Sequence, residues 1–142
     1  MNLKKQTEEK MAEKTRVLIV DDSMIIRQSI EKNLKEFGVE VVGVAGDGRT
    51  ALNRFRELKP DVVTLDITMP EMDGLTVLEE MMKIDPGAKI MVVTALKDKS
   101  TGIKAIQLGA RSLVVKPFTS DKLKAAFERM MKKVGLYKQE LM

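Results

Sequence analysis

One pattern constrains this chain more than any single residue. Five short runs of apolar, mostly β-branched residues recur along it, each followed by a segment with helical spacing. The runs are Val17 to Val20, Val39 to Ala45, Val62 to Leu65, Ile90 to Val93 and Leu113 to Val115. They are continuous rather than alternating, as expected of strands buried on both faces of a parallel sheet. Between them run apolar stripes: Ile26, Ile30, Leu34 and Phe37; Ala51, Leu52, Phe55 and Leu58; Leu75, Leu78 and Met82; a weaker Ile103, Ile106 and Ala110; and Leu123, Phe127, Met130 and Val134. Gly38, Pro60, Gly87 and Gly109 stand where helices should end, and Asp73 and Ser120 where two should begin. The pattern predicts one doubly wound α/β domain: a five-stranded parallel sheet with five helices, placed on both faces by right-handed crossovers.

The length of 142 residues suits one domain. Residues 1–15 carry mixed charge with few apolar anchors and read as a flexible extension. The domain is expected over 16–135, and 136–142 form a tail too short for an output domain. No apolar run is long enough to span a bilayer, and the N-terminus lacks the apolar core of a secretory signal. There is no cysteine and no histidine. That excludes disulfides, thiolate or histidine zinc sites, Ser-His-Asp chemistry and a phosphohistidine on this chain. A cytoplasmic protein working with carboxylates, hydroxyls and lysine is expected. The net charge of +4 is spread and interleaved with acids, and aromatics are only 4%. An ordinary lysine-rich surface explains this better than a nucleic-acid site.

In an open parallel sheet, ligands bind beyond the carboxyl ends of the strands. Asp21 and Asp22 follow the first run, Asp66 the third, Thr94 the fourth and Lys116 the fifth. Taken singly, each has a plainer reading as a cap, a turn residue or a solvated lysine. Together they stand on one edge. Three converging carboxylates repel one another unless one is protonated or a cation is shared. An all-oxygen cluster suits a hard cation, best Mg²⁺, which leaves room for phosphate oxygens. Lys116 adds a charge and Thr94 a hydroxyl. The set could hold a phosphoryl group made covalent by a nucleophilic carboxylate.

The motifs RVLIVDDS, DVVTLDITMPEMDG, MVVTA and GARSLVVKPF, in this order, resemble the response-regulator receiver domains of two-component signalling. The resemblance runs from about Arg16 to Val134. It implies the flavodoxin-like strand order 2-1-3-4-5. It implies Asp66 as phospho-acceptor, and Asp21, Asp22, Asp66 and the Thr68 backbone carbonyl as Mg²⁺ ligands. Thr94, Ala95 and Lys116 would be the phosphoryl-binding and switch positions, with the threonine drawing its loop inward. A cis bond before Pro117, and Thr68 and Leu96 as residues that tune acyl-phosphate hydrolysis, are implied as well. One position departs: Leu113 stands where receivers usually carry Tyr or Phe, so readout would rest on shifts of the fourth helix. Gly102 lowers that helix's propensity by about 1 kcal/mol. Of the eleven methionines, Met24, Met81, Met82, Met130 and Met131 read as core packing, and Met69 and Met72 as buried beneath the third helix.

The favoured function is a single-domain, chemotaxis-like switch. It takes a phosphoryl group from a sensor histidine kinase and then changes its binding to a partner such as a flagellar motor switch protein. It would be no enzyme in the usual sense, catalysing only its own phosphorylation and dephosphorylation. The alternative is a phosphorelay intermediate or phosphate sink that exchanges with a histidine phosphotransfer protein. A phosphatase is a further expected partner, nucleic acid and membrane are not, and a monomer or weak dimer is expected. A constitutive structural module is disfavoured by the intact Asp66, Thr94 and Lys116. An aspartate-based phosphohydrolase is disfavoured by Thr68, where such enzymes need a second acid. A nucleotide-binding enzyme is disfavoured because no GxxxxGK or GxGxxG follows a strand.

Overall fold

The computed structural model describes residues 14–69, 73–95 and 98–141, and side chains as far as residue 132. Five strands, β1 (Thr15–Val20), β2 (Val39–Ala45), β3 (Val62–Leu65), β4 (Lys89–Thr94) and β5 (Ser112–Val115), form one sheet. All pairings are parallel and the order is β2-β1-β3-β4-β5. The helices are α1 (Met24–Leu34), α2 (Gly48–Leu58), α3 (Gly74–Ile84), α4 (Lys99–Gln107) and α5 (Ser120–Leu141), with a 3₁₀ turn over Lys35–Phe37.

Alternation along each strand divides the core in two. Val17, Ile19, Val62, Met91 and Val93 pack beneath α1 and α5, against Ile30, Leu34, Leu123, Phe127 and Met130. Leu18, Val20, Val63, Leu65, Ile90 and Val92 face α2, α3 and α4, against Phe55, Leu78, Met81 and Ala105. In β1, β3 and β4 the predicted continuity of the apolar runs is this double burial, whereas the outer strands β2 and β5 are only partly covered, with Val44 and Val115 exposed. The central strands therefore have no wet face, and the acids and the lysine singled out in the sequence stand beyond the strand ends at the carboxyl edge.

The structure differs from the sequence pattern in four places. Of the stripe assigned to α4, Ile103 and Ile106 point outward, while Ala110, beyond the helix end, is buried as expected; the buried positions within α4 are Gly102 and Ala105. Met24, read as core, is 61% exposed, whereas Met69, Met81 and Met130 are buried. Ser120 does not cap α5. The Lys122 N–H donates to Thr119 Oγ1, and the Ser120 hydroxyl donates to Asn33 Oδ1. The last helix continues past Gly135 to Leu141. One glycine lowers propensity by about 1 kcal/mol, and good helix formers such as Leu, Lys, Gln and Glu follow it. Met72 and Leu96 lie outside the described residues.

Among the described residues no helix is long and apolar enough to cross a membrane.

Candidate phosphoryl site

Each polar residue at the carboxyl edge is held by the sheet itself. Just past the strand ends, the Asp21 N–H donates to Ala45 O, the Asp66 N–H to Val20 O and the Lys116 N–H to Thr94 O, at 2.9–3.0 Å. Backbone hydrogen bonding thus continues one residue beyond the strands, so three side chains from distant parts of the sequence share one rigid rim. The loops behind them are equally fixed. The Ser23 N–H donates to Asp21 Oδ1, and Ser23 Oγ accepts from the Ile26 N–H as the N-cap of α1. Arg27, on the first turn of α1, donates through Nη1 to the Asp21 carbonyl at 2.6 Å.

Asp21, Asp22 and Asp66 each offer a carboxylate oxygen within 4.8 Å of the others. Asp21 and Asp66 are buried and Asp22 is exposed. Lys116 Nζ bridges the buried pair, 2.6 Å from Asp21 Oδ2 and 2.9 Å from Asp66 Oδ2. The other oxygen of Asp66, Oδ1, accepts from the Thr68 N–H at 2.8 Å, the Thr68 hydroxyl at 2.8 Å and the Thr94 hydroxyl at 3.0 Å. Ala95 follows Thr94 at the exposed rim. The Lys116–Pro117 bond is cis.

The environments push the two buried carboxyls apart. Burial raises Asp21 above the ordinary carboxylate range, only partly offset by the hydrogen bond from Lys116 and the Ser23 N–H. Burial also acts on Asp66, but the hydrogen bond from Lys116 and the two from Thr68 outweigh it and hold Asp66 low. Lys116 feels burial as well, yet its bonds to Asp21 and Asp66 win and raise it. At neutral pH, Asp66 is thus a carboxylate, the form a nucleophile needs. Three acids against one lysine leave an excess of negative charge. The donor set is oxygen alone, and it fits a hard divalent cation.

Leu113 sits on β5 opposite Val92, half-buried against the core beneath α4. It borders two grooves. One lies against α4, with Lys99, Gly102, Ile103, Ile106 and Gln107. The other lies against α5, with Asp121, Lys122, Ala125 and Arg129. The sequence reading missed the contact between the Thr68 and Thr94 hydroxyls, 2.9 Å apart. The two residues are remote in sequence, and only the packing of β3 beside β4 brings them together.

The chain belongs to the response regulator receiver domain family, which residues 17–128 match. It is 45% identical over 117 residues to the chemotaxis protein CheY of Thermotoga maritima, spanning 82% of this chain and 98% of that one. It is 44% identical over 116 residues to CheY of Bacillus subtilis, spanning 82% and 97%. A solved CheX-CheY-BeF3-Mg²⁺ complex from Borrelia burgdorferi matches with a TM-score of 0.74 at 31% identity, covering 84% of this chain and 87% of that one. Fold, motifs and relatives agree on a receiver of the chemotaxis type.

Proposed function

We propose that Asp66 accepts a phosphoryl group from the phosphohistidine of a sensor kinase, in a Mg²⁺-dependent reaction, and that the aspartyl phosphate switches partner binding. The observation that carries the reading is the pair of contacts on Asp66: Lys116 on one oxygen and the Thr94 hydroxyl on the other. Asp21, Asp22, Asp66 and the Thr68 carbonyl would hold the ion. When bound, it would neutralise part of the charge on the phosphoryl oxygens. An oxygen of Asp66 forms the new bond to phosphorus as the bond to the donor nitrogen breaks, the electron pair leaving with the imidazole. Lys116 turns from the carboxylates to a phosphoryl oxygen, and the Thr94 hydroxyl donates to another. Both groups already stand at hydrogen-bond distance, so catalysis is positioning and charge neutralisation. Hydrolysis of the acyl phosphate is the second reaction the chain would promote, tuned at Thr68 and Leu96.

The grooves on either side of Leu113 are the candidate readout surface. An aliphatic side chain there offers a partner neither a ring edge nor a hydroxyl, so readout would pass through α4. The partners proposed are a sensor kinase, a phosphatase and a motor switch protein, in the cytoplasm. The test is phosphotransfer from a phosphorylated kinase in the presence of Mg²⁺. Wild type should take the group and Asp66→Asn should not. Equal labelling of both would refute the assignment. Rapid, reversible exchange with a histidine phosphotransfer protein, without any gain in affinity for a motor switch peptide, would favour the phosphorelay reading.

A further inference from the structure

Three donors converge on a single oxygen, Asp66 Oδ1: the Thr68 N–H, the Thr68 hydroxyl and the Thr94 hydroxyl. A carboxylate oxygen offers about two lone-pair sites. The backbone N–H is fixed by the loop and fills one. Two hydroxyls then compete for the other, and each has a single proton to give. Their oxygens are 2.9 Å apart, so the hydroxyl that does not reach the carboxylate donates to the one that does. With Thr68 donating to Thr94 Oγ1, the Thr94 hydroxyl is left to donate to Asp66 Oδ1, 3.0 Å away.

The two residues are not equivalent. Thr94 is fully buried, so its hydroxyl must find a partner within the site. Thr68 is exposed and could turn to water, yet its side chain lies across the mouth of the site against both partners.

We propose that Thr68 is a positioning residue whose hydroxyl holds the Thr94 hydroxyl turned toward Asp66 before any phosphoryl group arrives. This rests on reading Asp66 as the phospho-acceptor. The residue at position 68 would then set the resting state of the switch.

The test uses the unphosphorylated protein with ¹³C-methyl-labelled threonine, reading the χ1 rotamer of Thr94 from three-bond couplings. Wild type should show one dominant inward rotamer. Thr68→Val keeps the shape and loses the hydroxyl, and it should lower the inward-to-outward ratio about fivefold, the factor one net hydrogen bond corresponds to. Thr68→Ser keeps the hydroxyl and should restore the wild-type ratio. An unchanged ratio in Thr68→Val would overturn the proposal. So would equal loosening in both variants, which would assign the effect to the methyl group. Phosphoryl uptake, followed by intact mass on the same samples, reports separately on Asp66. A chain that takes up no phosphoryl group but loosens only in Thr68→Val upholds the positioning role and refutes the functional reading.

Discussion

Thr64 lies in the middle of β3, paired across the sheet with Ile19 and Met91, and no part of it reaches solvent. It stands two residues after Val62 on the face covered by α1 and α5, and its Oγ1 has no hydrogen-bond partner. A hydroxyl buried without a partner costs about 1–3 kcal/mol on the scale of protein substitutions. Valine has nearly the same shape and suits a strand equally well. Thr64→Val should therefore stabilise the protein by about 1–2 kcal/mol, since part of the transfer penalty is relieved by local relaxation. At about 4 °C per kcal/mol for a domain of this length, Tm should rise by about 4–8 °C. Urea unfolding followed by far-ultraviolet circular dichroism should show a higher midpoint at unchanged m. Thr64→Ser keeps the orphaned hydroxyl and deletes a packed methyl, so it should lose about 1 kcal/mol. A Thr64→Val protein no more stable than wild type would refute the reasoning, because the hydroxyl would then have a partner worth as much as the desolvation it suffers.

Three further outcomes follow from the same contacts. A Cβ on Gly74 would stand 2.3 Å from the Ile67 Cα, where only backbone could move aside, so Gly74→Ala should cost at least about 3 kcal/mol and slow phosphoryl uptake. Urea midpoints and intact-mass time courses check both. Lys116→Met removes the cation that Asp21 and Asp66 share, so calorimetric titration should show tighter Mg²⁺ binding even as phosphoryl uptake slows. Asp47, Asp73 and Asp98 cap α2, α3 and α4, and all three are held low, chiefly by the Thr50 N–H, the Thr76 hydroxyl and the Ser100 hydroxyl respectively. A depressed folded-state pKa gives stability that is present above the unfolded value and lost as pH falls through the folded one. Replacing all three with Asn, itself a good cap, should flatten the fall in urea midpoint below about pH 4 and leave neutral stability nearly unchanged.

The strands were legible because a sheet buried on both faces demands unbroken apolar runs, and few other folds do. The site was legible because strand ends in such a sheet share one rim, so Asp21, Asp66, Thr94 and Lys116 could be placed together without knowing a single distance. The strand order was not readable from the periodicity, since burial says nothing of neighbours; it came with the family resemblance. The outward face of α4 escaped because Ile103 and Ile106 look like core, while the buried positions are a glycine and an alanine with almost no hydrophobic signal. The cap at Thr119 was lost to the adjacent serine, for residue type alone cannot choose between neighbours. The orphaned Thr64 and the paired hydroxyls of Thr68 and Thr94 depend on side-chain directions across β3 and β4, which no one-dimensional pattern records.

The most direct measurement is intact mass after incubation with a small-molecule phosphodonor, with Mg²⁺ or with chelator, on wild type and on Asp66→Asn. One phosphoryl group gained only by wild type and only with Mg²⁺, and released by hydroxylamine as an acyl phosphate should be, is the expected result. A gain that survives in Asp66→Asn, or no gain in a folded wild-type protein supplied with both donor and Mg²⁺, would contradict the assignment of Asp66 as the phospho-acceptor of this site.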